Sequence, residues 1–368
     1  MSQLPWHDQA TAALAQRKAA GSYRQNRLRE GEQGVHIQLD GKSMLSFCSN
    51  DYLGLAAHPE IKKAFVDAID QEGVGSGAAH LLTGHSYYHQ ALEEALADFT
   101  GQQRVLLFST GYMANLGVID GLLSRGDAVI QDKWNHASLL DGGRLSDAEQ
   151  LRYPHNNMSL LHKRLHNAAT ANNKLIVSDG VFSMDGDLAP LPEIMALSHQ
   201  HRAAVLIDDA HGFGVIGEGG RGTISHFKLA TDNMPIMVGT LGKAVGTAGA
   251  FVAADETVIE TLIQQARSYV YTTAQPPAIA AATLASLKLV EQEQWRRDQL
   301  NTLIQQFRQG AQQLGLELMA SSTPIQPVII GDDVTALNIG KKLEQQGLLV
   351  GVIRPPTVPK NTARLRIT

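Results

Sequence analysis

The sequence predicts an α/β protein: a mainly parallel central sheet flanked by helices, with a smaller C-terminal α/β domain. Three observations predict it. Short apolar runs alternate with helix-sized segments, as at Val105-Leu106-Leu107-Phe108, Asp127-Ala128-Val129-Ile130, Leu175-Ile176-Val177-Ser178, Leu206-Ile207 and Ile236-Met237-Val238. That alternation is the pattern of parallel strands joined by crossover helices. The runs also end in polar residues, and in open α/β sheets ligands bind at the carboxyl edge of the strands. Finally, Tyr271-Thr272-Thr273-Ala274-Gln275-Pro276-Pro277 breaks the alternation, and a long helical region and a second set of strands follow. The expected division is an arm of helix and hairpin at 1–50, a large domain at 51–285 and a small domain at 286–368.

In chain order, residues 10–29 carry Ala and Leu with Arg17, Lys18, Arg24, Arg27 and Arg29, which reads as a helix with a cationic side leading into the arm. Val35-His36-Ile37-Gln38-Leu39 alternates and meets Met44-Leu45-Ser46-Phe47 across Asp40-Gly41, the signature of a β-hairpin. From Pro59 a helix carries Ile61, Ala64, Phe65, Ala68 and Ile69 on one face and closes at Gly73. Gly73-Val74-Gly75-Ser76-Gly77 lacks the G-x-G-x-x-G order and follows a helix, so it is a loop and not a dinucleotide fingerprint. His85 and His89 have the i, i+4 spacing of a zinc pair, but Ser86 stands where a metalloprotease glutamate belongs and no third ligand is evident; no metal is expected. Val105–Phe108 runs into Ser109-Thr110-Gly111-Tyr112, where a helix start offers backbone N–H groups to a phosphate. Leu191 to His201 is a helix on the sheet. After residue 286 come a helix with Leu303, Phe307, Ala311 and Leu314 along one face, a strand at 326–330, a helix at 335–346, and strands at 348–353 and 364–368.

With 368 residues, 43% of them hydrophobic, the chain can bury a large core. A formal charge of -5 gives no basic footprint for nucleic acid. Cys48 is the only cysteine, so no intrachain disulfide forms, in keeping with a reducing cytoplasm. The amino-terminal Met1-Ser2-Gln3-Leu4-Pro5-Trp6-His7-Asp8 lacks the pattern of a signal peptide, and the least polar window, Ala278 to Leu287, is far shorter than the ~20 apolar residues of a membrane span.

Two strand ends carry the chemistry. Val238-Gly239-Thr240-Leu241-Gly242-Lys243 sets a lysine just past a strand among glycines, and Val205-Leu206-Ile207-Asp208-Asp209-Ala210-His211 delivers two carboxylates and an imidazole at another strand tip. By default such a lysine is a solvated charge and Asp-Asp is a turn or cap. A P-loop would need glycine at Met237 and a hydroxyl at Ala244. The joint order and spacing instead suit pyridoxal 5'-phosphate, which needs a lysine for its aldehyde and a carboxylate for its pyridine nitrogen.

These stretches, together with Ser49-Asn50-Asp51-Tyr52-Leu53-Gly54, Ser109-Thr110-Gly111-Tyr112-x-Ala114-Asn115, Asn135-His136-Ala137-Ser138 and Val181-Phe182-Ser183-Met184-Asp185-Gly186-Asp187, resemble the α-oxoamine synthases along essentially the whole chain. Those are fold-type-I, aminotransferase-like pyridoxal phosphate enzymes that acylate an amino acid and decarboxylate it. Ile353-Arg354-Pro355-Pro356-Thr357-Val358-Pro359 and Thr362-Ala363-Arg364-Leu365-Arg366 are most similar to the biotin-pathway branch, which implies L-alanine and a pimeloyl thioester of CoA or acyl carrier protein. A sister activity on glycine and a short acyl-CoA, and a non-catalytic subunit of the same fold, stay open. The resemblance implies Lys243, Asp208, His136 and His211 as catalytic residues. It implies cofactor contacts from Gly111, Tyr112, His136, Ser183, Asp208, His211, Thr240 and Lys243, with Thr273 reaching across a homodimer. Substrate contacts would come from Arg24, Asn50, His136, Arg354, Thr357 and Arg366. Family chains run beyond the motif at 364–368 by a segment that packs on the small domain.

Overall fold

The computed structural model describes residues 4–229 and 234–368; Met1 to Gln3, part of the amino-terminal stretch read above, lie outside them. The strands are β1 Arg29–Glu30, β2 His36–Leu39, β3 Lys42–Phe47, β4 Arg104–Phe108, β5 Ala128–Asp132, β6 Glu149–Tyr153, β7 Lys174–Asp179, β8 Ala204–Asp208, β9 Ile236–Thr240, β10 Ala250–Ala254, β11 Gln326–Gly331, β12 Leu348–Ile353 and β13 Ala363–Ile367. Seven form the central sheet, in the order β4-β10-β9-β8-β7-β5-β6. The pairs β9/β8, β8/β7, β7/β5 and β5/β6 are parallel, whereas β10 is antiparallel to both neighbours.

The continuous apolar runs are explained by burial on both faces. Along β10, Ala250, Val252 and Ala254 enter the core under the helices Gly111–Leu122 and Glu256–Gln265, while Phe251 and Ala253 enter the one under Tyr87–Thr100 and Pro277–Gln292. On β8, Leu206 faces the first of these cores, while Val205 and Ile207 pack toward Met158–Asn167 and Leu191–His201. Each fully buried Val, Leu or Ile contributes roughly 1.5–3 kcal/mol, so the sheet holds its strand tips rigidly at one edge.

The second sheet runs β1-β2-β3-β12-β13-β11. The hairpin expected as an amino-terminal arm turns at Asp40-Gly41, both at positive φ, and β3 then pairs in parallel with β12. The arm is therefore continuous with the C-terminal strands, and Pro277–Gln292 crosses residue 285 without a break. The first helix spans Pro5–Ala19, shorter than the segment expected at 10–29, and Gly21 at φ 62 turns the chain away from it. In Gln294–Gln313 the predicted apolar face is only partly covered: Ala311 is buried, but Leu303 and, just past the helix, Leu314 are exposed.

Candidate active site

The two aspartates at the tip of β8 part company. Asp208 is buried; its Oδ2 accepts the Asn115 amide Nδ2–H at 2.6 Å and its Oδ1 accepts the Ala210 N–H at 3.0 Å. Asp209 turns into the scaffold, where it accepts the Thr223 N–H at 2.7 Å and burial pushes its pKa up to about 7. A Cβ at Gly212 or Gly222 would collide with its carboxylate, which is why glycine stands at both positions. Asp208 alone is left for the cleft.

Beyond β9, Lys243 is partly buried, with Nζ 2.9 Å from Nε2 of His211, whose Nδ1 is 2.7 Å from the Tyr52 hydroxyl. Burial lowers the lysine pKa against the pull of Asp208 and Asp179. Burial and then the lysine charge push His211 well below its ordinary value, so it stays neutral. Burial also pushes Tyr52 up to about 12, so its O–H remains a donor. With the Tyr52 O–H donating to Nδ1, the neutral ring carries its proton on Nε2 and donates it to the amine once Lys243 is deprotonated.

Asp179, at the tip of β7, pairs in register with Asp208 and was not among the expected site residues. Burial and then the Asp208 charge raise its pKa well above normal, and its Oδ2 accepts the His136 backbone N–H at 2.7 Å. His136 caps the helix Ala137–Leu145 and, with Ser183 and Thr357, lines a cavity of about 730 Å³. The signal for Asp179 was the polar end of the run Leu175–Ser178, and that for Tyr52 and Asn115 was their place in motifs with no role attached.

Arg366 is buried in the small sheet. It donates Nε–H to the Ser183 carbonyl at 2.7 Å and reaches Asn50 Oδ1 at 3.4 Å, with no carboxylate partner among the described residues. Arg364, two residues earlier on β13, is paired with Asp185. The helix Gly111–Leu122 is capped by Thr110, which accepts the Met113 N–H at 3.1 Å. The Gly111 and Tyr112 N–H groups find no acceptor among the described residues, and the space beside the Gly111 Cα is open. Thr240, the last residue of β9, spends its hydroxyl on the Gly249 carbonyl at 3.2 Å.

Not every expected residue converges. Arg24 and Thr273 are exposed, without a hydrogen bond to the residues above. The Arg354 guanidinium lies beside Gly21, at the start of the arm, with Nε unpartnered. The histidine pair does acquire a third member: His80, His85 and His89 bring ring nitrogens within 4.8 Å of one another. Yet His89 Nδ1 accepts the Ser86 N–H at 3.0 Å in a helix cap and its Nε2 donates to the Gln275 carbonyl at 2.8 Å, so both its nitrogens are occupied.

A lysine amine, a buried carboxylate at a strand tip, a neutral imidazole and two free N–H groups at a helix start fit pyridoxal phosphate: aldehyde, pyridine nitrogen, phenolic oxygen and phosphate each find a donor or acceptor of the right type. No described helix is long and apolar enough to cross a membrane. The aminotransferase class I and II profile matches residues 42–368. The chain is 59% identical to the 8-amino-7-oxononanoate synthase of Nitrosococcus oceani over 96% of its length and 94% of that protein. It is 58% identical to the synthase of that name from Saccharophagus degradans, over 96% and 90%. A structure of SPT with PLP superposes with a TM-score of 0.93 at 32% identity, covering all of this chain and 93% of that one. The chain therefore belongs to the aminotransferase class I and II family, in its pyridoxal-phosphate-dependent 8-amino-7-oxononanoate synthase branch.

Proposed function

We propose that the protein is a pyridoxal-phosphate-dependent acyltransferase that condenses L-alanine with a pimeloyl thioester, of CoA or acyl carrier protein, to give 8-amino-7-oxononanoate, carbon dioxide and the free thiol, in cytoplasmic biotin biosynthesis. The observation that carries the substrate half is Arg366: a buried guanidinium without a carboxylate partner among the described residues, close enough to Lys243 and His211 for its charge to lower the pKa of both. Such a cation is poised for a bidentate carboxylate ligand, here that of alanine, with Asn50 assisting.

Lys243 would hold the cofactor through its aldehyde, and its amine, when free, is the group placed to take the alanine Cα proton; burial lowers its pKa, which favours that role. When bound, the cofactor supplies an electron-accepting ring that stabilises negative charge at Cα. Asp208, oriented by Asn115, keeps the proton on the pyridine nitrogen. His211 and Ser183 would meet the phenolic side, and His136 would cover the ring. Gly111 and Tyr112 N–H groups hold the phosphate, with Thr240 at the neighbouring strand tip. Thr357 and the cavity beside His136 receive the acyl chain, with Arg354 and Arg24 on the approach.

A homodimer completes the assignment, with Thr273 reaching the partner's phosphate. In support, exposed Val74, Leu82, Tyr87 and Tyr271 crowd the segments that the Ala274 N–H to Ala78 carbonyl bond joins. The nearest competing activity joins glycine to a short acyl-CoA. Visible spectra during addition of L-alanine and then pimeloyl-CoA, beside a panel of amino donors and acyl-CoAs, test the reading. Turnover confined to glycine with acetyl-CoA would replace it with the competitor, and absence of any spectral response would remove the enzyme assignment.

A further inference from the structure

His155 takes no part in the chemistry above, yet both its ring nitrogens meet carboxylates and its ring packs against two aromatic rings. Its Nδ1 is 3.2 Å from Asp132 Oδ1 and its Nε2 is 2.8 Å from Asp187 Oδ2. The Trp134 ring stacks on it at 4.1 Å and 18°, and Phe182 meets it edge-on at 4.3 Å. Asp132 ends β5 and also accepts the Trp134 and Asn156 N–H groups, each at 2.8 Å. Asn156 in turn donates to Asp187 Oδ2 at 3.0 Å and to the Leu188 carbonyl at 3.2 Å.

These contacts join two loops. Trp134 precedes His136 by two residues and Phe182 directly precedes Ser183; all four line the cavity assigned above to the acyl chain. We propose that His155 is a positioning residue that clamps the 132–136 and 182–187 loops together and thereby fixes the width of the acyl cavity. The proposal rests on the acyltransferase reading of that cavity. Two carboxylates on two ring nitrogens require both nitrogens to donate, which means an imidazolium. Burial opposes that charge, but the carboxylates outweigh it and push the pKa up to about 9. Among the described residues a further charged group near the ring is Asp185, itself paired with Arg364.

The test uses holoenzyme carrying His155→Gln, and separately Asp187→Asn. Both variants should still load the cofactor, because Lys243 and Asp208 lie outside the clamped loops, and any change in the alanine titration should be smaller than the change in acyl KM. The KM for pimeloyl-CoA should rise about tenfold in His155→Gln and less in Asp187→Asn, with kcat within about threefold. A second readout does not need turnover. In a Trp6→Phe, Trp295→Phe background, Trp134 fluorescence quenched by the imidazolium should rise with an inflection near pH 9, and His155→Gln should abolish that inflection. An acyl KM unchanged in the variant that folds, or a fluorescence profile the same as the parent's, overturns the clamp. A parent inactive with alanine and pimeloyl-CoA counts against the functional reading, while the fluorescence still decides on His155.

Discussion

Lys243 Nζ lies 2.9 Å from His211 Nε2, so the residue proposed to carry the cofactor is already aimed by a neutral imidazole, which Tyr52 fixes from behind at 2.7 Å. The lysine is thus oriented before any ligand binds.

Replacing Lys243 by Ala removes both the proposed attachment point and the proposed base. Turnover should fall by about a thousandfold or more, and the visible absorbance of lysine-linked cofactor should disappear while the far-ultraviolet dichroism is retained. Parent-like turnover would take the lysine out of the mechanism.

Asp208→Asn tests the electron sink separately. An amide cannot keep the pyridine nitrogen protonated, so alanine should still bind, held by Arg366, but its Cα–H should exchange with deuterium from solvent at least about a hundredfold more slowly. Exchange at the parent's rate, followed by proton magnetic resonance, would show that Asp208 is structural.

How much of this was legible beforehand depends on the range of the interaction. Local periodicity marked β4, β5, β7, β8 and β9, and the turn chemistry of Asp40-Gly41 marked the hairpin, because those signals lie within a few residues. The pairing of Leu45–Phe47 with Leu348–Val350 spans some three hundred residues, and nothing in either segment names its partner. The same is true of Asp179 beside Asp208 and of His80 beside His85: residue type is visible in sequence, but convergence is not. Arg24 and Thr273 came only from resemblance, and both are exposed in the single chain.

His155 gives a pH dependence of stability. Its pKa is about 9 in the folded chain against an ordinary 6.5, so folding favours the protonated form. The contribution is complete below about pH 6.5 and is lost as the pH rises through about 9, amounting to about 3 kcal/mol at most. The melting temperature of His155→Gln should lie several degrees below the parent's at pH 6, with the gap closing by about pH 9.5. A gap that does not vary with pH would mean that the ring is neutral in the folded chain.

Arg366 and Arg364 lie two residues apart on β13, where the strand period puts both side chains on the same face. Their partners differ: Arg364 has Asp185, whereas Arg366 has, among the described residues, the Ser183 carbonyl and Asn50. Removing Arg364 strands a buried carboxylate, so Arg364→Ala should cost about 3 kcal/mol of stability. Arg366→Ala leaves no opposite charge stranded, and its cost should appear in binding: alanine affinity should weaken by about 2 to 4 kcal/mol, roughly 30- to 1,000-fold, with cofactor loading unchanged. Arg366→Lys should rescue poorly, because an ammonium cannot reproduce the two parallel bonds of the guanidinium. Spectral titration with alanine beside a melting curve separates the two arginines. If Arg366→Ala lowers the melting temperature and leaves alanine affinity unchanged, Arg366 belongs to the scaffold, and Arg354, the arginine with an unpartnered buried nitrogen, becomes the carboxylate ligand to test next.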